Sequence, residues 1–140
     1  MSVALSVRLP EAVSQSLDAY TSKRSLNRSV VVAQALNEWM RIQGHPGIRF
    51  ITSLTGDRVA ALARGPEVWT VAEAWVMTDP ARRSVDEVAY VTGLTVTEVE
   101  TALRYYADFQ DEIDAELAQV WQAQKEEQAV WERLRGAGVR

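Results

Sequence analysis

The sequence predicts a mainly α-helical protein. One N-terminal strand and two helices come first, then a small helical domain with a helix-turn-helix-like pair and a long C-terminal helix. Three observations lead there. Residues 3–9 alternate apolar and polar; later apolar residues recur at three- and four-residue spacing; and Gly44-His45-Pro46-Gly47 is the strongest break in the chain. The expected divisions are 1–44, 45–110 and 111–140. With 140 residues, 47% apolar and 24% charged, the chain suits one ordinary globular domain or two small ones.

Each element has its own signal. Val3, Leu5, Val7 and Leu9 alternate with Ser2, Ala4, Ser6 and Arg8, the period of a half-buried strand. Pro10 ends it and suits the first position of a helix over residues 10–22, with Val13, Leu17 and Tyr20 on one face. Asn27 is a good N-cap for a second helix carrying Val32, Ala35, Leu36, Trp39 and Met40, which Gly44 stops. Ile48–Ile51 suits a short strand and residues 55–64 a short helix closed by Gly65. Pro66 opens another helix, with Val68, Val71, Ala72 and Trp75 on one face, ended by Asp79-Pro80. Ser84…Glu87 and Thr95…Glu98 have capping-box spacing and start the helix-turn-helix-like pair, whose expected core is Val88, Ala89, Val99, Leu103 and Tyr106. A last helix is expected over residues 111–135, with apolar residues at both ends of a polar middle.

The net charge of −4 is unevenly spread: residues 1–44 carry +2, residues 45–109 carry −3 and residues 110–140 carry −3. A polyanion is drawn to the first segment and repelled by the others. There is no cysteine, so disulfides, cysteine-held zinc and thiol catalysis are excluded. No apolar run reaches the ~20 residues of a membrane span, and the N-terminus lacks the features of a signal peptide, which points to the cytoplasm. The only histidine, His45, lies in the Gly/Pro turn and reads as a linker residue; no nucleophile–base set, metal spacing or phosphate loop is found. Neither an enzyme nor a cofactor or metal is expected.

A strand-helix-helix unit of some forty residues buries little apolar surface alone and needs disulfides, a metal or oligomerisation. The first is excluded and the second has no ligands, so a homodimer is expected, with two copies of Val3–Leu9 paired antiparallel. Ala4, Ser6 and Arg8 then line the outer face of a two-stranded ribbon, a shape that enters the DNA major groove. The alternating strand ending Arg8-Leu9-Pro10, with Asn27-Arg28-Ser29 before Ala35-Leu36, resembles the ribbon-helix-helix repressors over residues 3–43. The resemblance implies that Ala4, Ser6 and Arg8 read bases and that Asn27, Arg28 and Ser29 hold a phosphate at the start of the second helix. Arg8 can bond a guanine bidentately, whereas Ala4 can only meet a thymine methyl. First-turn N–H groups and the helix dipole favour an anion.

The helix-turn-helix-like stretch, residues 84–108, carries a charge of −4, and its second helix begins with Thr97, Glu98, Glu100 and Thr101. Phosphates are repelled there, so an interaction domain is expected rather than a second DNA reader. His45-Pro46-Gly47-Ile48, Gly56-Asp57-Arg58, and Gly93-Leu94-Thr95 through Ala102–Ala107 resemble a small family of unknown function found in bacterial antitoxins, often paired with PIN-like ribonuclease toxins. In the tail, Leu117, Trp121, Trp131 and Leu134 suit contact with a partner or a second copy. The expected function is a DNA-binding antitoxin that represses its own operator and neutralises a toxin protein. Two alternatives are a stand-alone repressor with an oligomerising or sensing domain, and an interaction scaffold that does not bind DNA.

Overall fold

The computed structural model describes residues 1–138. It is mainly helical with one small sheet, and divides into two compact units, Met1–Gln43 and Gly44–Arg140. Unit 1 holds α1 (Glu11–Arg24) and most of α2 (Arg28–Gly44). Residues 1–10 form no strand. This corrects the expected strand for the single chain: a strand exists only where its N–H and C=O groups meet a second strand, and unit 1 supplies none. The two helices form as expected. Pro10 occupies the N-cap of α1, its carbonyl accepting from Val13 and Ser14. Ser25 adopts the left-handed conformation (φ 52°) that ends α1, and Leu26 N–H returns to the Thr21 carbonyl.

Unit 2 begins with a hairpin, β1 (Ile48–Thr52) against β2 (Arg58–Leu62), antiparallel with Ile48 opposite Leu62 and Thr52 opposite Arg58. The helix expected over residues 55–64 is therefore corrected to a turn and a strand. Gly56, at φ +89°, turns the chain back. The Ser53 and Thr55 hydroxyls and the Asp57 carboxylate tie the loop together, with Ser53 N–H on the Asp57 carbonyl at 2.7 Å. Val59-Ala60-Ala61-Leu62 is too short to nucleate a helix once β1 offers a ladder. All four are buried.

Four helices follow: α3 (Val68–Met77), α4 (Val85–Thr92), α5 (Val96–Asp108) and α6 (Gln110–Gly136). Helix α3 is central, packing on α4, α5 and α6, while the hairpin rests on α5 and α3. The core draws Val68, Val71 and Ala72 from α3, Val88 from α4, Val99, Ala102 and Tyr105 from α5, and Ile113 and Leu117 from α6. The expected core of the helix-turn-helix-like pair is right at Val88 and Val99. Ala89, Leu103 and Tyr106 are half-buried and pack against the core; on α5 the buried stripe is 99, 102, 105 rather than 99, 103, 106. Both stripes satisfy a 3.6-residue period, and the burial of Tyr105 decides between them.

Candidate nucleic-acid interface

The residues expected to read bases, Ala4, Ser6 and Arg8, are all exposed, and so are the apolar residues between them: Val3 at 87%, Leu5 at 76% and Val7 at 66%. The exposure continues along both helices, at Val13 and Tyr20 of α1 and at Val32, Leu36, Trp39 and Met40 of α2. Every buried apolar side chain lies in unit 2; the single buried residue of unit 1 is Thr21, whose hydroxyl donates to the Leu17 carbonyl at 2.9 Å. Two amphipathic helices and an alternating segment thus share one unit without a core.

The start of α2 is built as a cap. The Asn27 Oδ1 accepts from Ser29 N–H at 2.8 Å, and the Asn27 carbonyl accepts from Val31 N–H at 3.1 Å. Arg28 Nη1 lies 3.2 Å from Asp18 Oδ1, both side chains more than half exposed. Such an ion pair contributes little, so Arg28 can turn from it to a phosphate at small cost. Arg24 lies over the Tyr20 ring at 4.0 Å. Asn27, Arg28 and Ser29 therefore share one helix N-terminus. Ala4, Ser6 and Arg8 lie in the preceding irregular segment, and nothing within the single chain orders them into a face.

The residues expected to meet a partner do not form one site. Leu117 is buried in the core of its own unit, which corrects its assignment to a partner surface. Trp121 is 36% exposed, and its indole Nε1 donates to Glu73 Oε1 on α3 at 2.6 Å. Trp131 is 56% exposed and Leu134 half-buried, both on the distal part of α6.

His45 is corrected as well. It is not a loose linker residue: its side chain is 13% exposed, its Nε2 lies 2.9 Å from Asp108 Oδ2, and its ring packs edge-on against Tyr105 and Phe109. The histidine pins the entry of unit 2 to the end of α5, a contact that sequence spacing does not reveal. Nearby, Tyr106 Oη donates to Asp114 Oδ1 at 2.6 Å; burial, and then that carboxylate, push the phenol up to about 12. Met77, Tyr90 and Val91 are exposed, at 73%, 86% and 60%. Tyr90, two residues after Val88, lies off the face that Val88 marks in α4, whereas Val91, three residues after it, does not.

Among the described residues no group of three or more His, Asp or Glu side chains could hold a metal ion, and no helix is long and apolar enough to cross a membrane. Comparison with family models, with curated proteins and with solved structures found no match in any of the three.

Proposed function

We propose that this protein is a homodimeric, sequence-specific DNA-binding repressor whose first unit is one half of a ribbon-helix-helix. In the same reading it is an antitoxin, and its acidic second unit holds a toxin protein, a PIN-like ribonuclease by the resemblance noted above. The observation that carries the proposal is the absence of a buried apolar side chain in unit 1, although Val3, Leu5 and Val7 recur at strand spacing and Val32, Leu36, Trp39 and Met40 at helix spacing. A second copy supplies what is missing. Pairing the two Val3–Leu9 segments turns Val3, Leu5 and Val7 onto four helices and leaves Ala4, Ser6 and Arg8 outward, twice over. The excess charge of +2 in residues 1–44 favours DNA on that side, while the acidic remainder suits a basic protein cleft.

The test is fluorescence anisotropy of the full chain with duplex from upstream of its own gene and with an unrelated duplex, over a salt series. Preference for the upstream duplex, binding that weakens with salt, and loss of preference in Arg8→Ala are expected. Equal binding to both duplexes by the wild-type protein contradicts sequence-specific reading. Co-expression with the product of the adjacent gene tests the toxin part, which fails if no complex forms.

A further inference from the structure

Helix α6 outruns the unit it belongs to. Ile113 and Leu117 are buried, at 0% and 2% exposure, yet every residue from Trp121 to Arg133 is exposed. At ~1.5 Å per residue the stretch 121–136 is roughly 24 Å of helix. The buried stripe does not stop where the core stops. It continues in alternating steps of three and four residues through Val120, Gln124, Glu127 and Trp131 to Leu134, the spacing of a coiled-coil seam.

We propose that this distal half of α6 pairs antiparallel with the same segment of a second copy of the chain. Charge chooses the occupant and the direction. The first half of α6 carries Asp111, Glu112, Asp114 and Glu116; the last turns carry Arg133 and Arg135. With Val120 beside Trp131, an antiparallel pair brings Arg135 level with Glu116 of the other copy, whereas a parallel pair sets like beside like. The seam gives the same answer. In a parallel pair Glu127 meets its own copy, two carboxylates in one layer. In the antiparallel register Val120 meets Trp131, and Gln124 meets Glu127, so that each amide N–H donates to a carboxylate. The intrahelical pairs Gln122–Glu126 and Gln128–Glu132, both 3.0 Å, use neither Gln124 nor Glu127. The antiparallel arrangement also sends the two globular parts to opposite ends of the pair. It uses no residue of unit 1 and so stands apart from DNA binding.

The chain has no cysteine, so introduced thiols report alone. Full-length Val120→Cys and Trp131→Cys are co-expressed, then treated with a short bis-maleimide, beside each variant alone. A covalent dimer containing one of each variant is expected from the mixture and none from either alone, since like positions then lie roughly 16 Å apart along the axis. Linking of either variant to itself would show a parallel seam and overturn the proposal. So would no linking in any sample with the helical signal intact. Gln124→Cys with Glu127→Cys, both at exposed positions, is the fallback if Val120→Cys fails to fold; like positions there lie only about 4.5 Å apart along the axis, so this pair reads linking against none, and absence of linking overturns the proposal.

Discussion

Tyr106 shows how one side chain ties unit 2 to pH. Its phenol donates to Asp114 and is pushed up to about 12 from an ordinary value of 10.0. The neutral form is the one the fold favours, so its contribution is fully present below the unfolded value. It is lost as pH rises through about 10 to about 12. Urea melts of unit 2 should therefore lose stability over that window in the wild type, and the Tyr106→Phe variant should lose less of it. Gly47 makes a second residue-scale case. Its φ is +95°, and a Cβ there would lie 3.1 Å from Thr101 Cγ2. Gly47→Ala is expected to cost roughly 1–2 kcal/mol through backbone strain. Adding Thr101→Ala should restore only the steric share of that loss, read as a shift in the urea midpoint. At this scale the sequence was partly legible. Asn27 was a recognisable cap because a cap needs only local chemistry. His45 was not recognisable as an anchor, because its partners Tyr105, Asp108 and Phe109 lie some sixty residues away along the chain.

Among elements, those that declare themselves locally were the easiest to foresee. The Thr95 hydroxyl accepts from Glu98 N–H at 3.2 Å, and the Glu98 carboxylate accepts from Thr95 N–H at 2.8 Å, a reciprocal box read directly from spacing. Ser84 forms only half of one: it accepts from Glu87 N–H, but the Glu87 carboxylate instead bonds Arg82 at 2.8 Å. Thr95→Ala is accordingly expected to destabilise unit 2 by about 1 kcal/mol, and Ser84→Ala by less, in matched thermal or urea unfolding. Strand β2 was missed for the opposite reason. An alanine-containing run of four becomes a strand because Gly56 reverses the chain onto β1, and that pairing is a tertiary fact. The same reasoning explains residues 3–9. Their alternation has the period of a strand, but among the described residues no strand pairs with them.

Taken whole, the molecule is one unit with a buried apolar core and one without. Unit 2 closes a core on helices α3 to α6 and its hairpin; unit 1 exposes the faces that its periodicity marks for burial. If a second copy completes unit 1, its folding is bimolecular, and its stability rises with protein concentration. Far-UV melts of the full chain should show a transition for unit 1 that moves upward with protein concentration, beside the transition of unit 2. Replacing Leu5 with Glu should abolish the moving transition and leave the other in place.

The pairing of residues 3–9 with their own copy is the central claim, and a single thiol tests it. An antiparallel pair of Val3–Leu9 segments sets Ser6 opposite Ser6, at the ~4.5–5.5 Å Cα separation of facing residues, within reach of a disulfide. In the otherwise cysteine-free chain, full-length Ser6→Cys under mild oxidation should become a covalent dimer almost completely. Ala4→Cys, which faces Arg8 of the other copy, should not. A Ser6→Cys chain that stays monomeric under oxidation, with its helices intact, would contradict the ribbon and the DNA reading built on it.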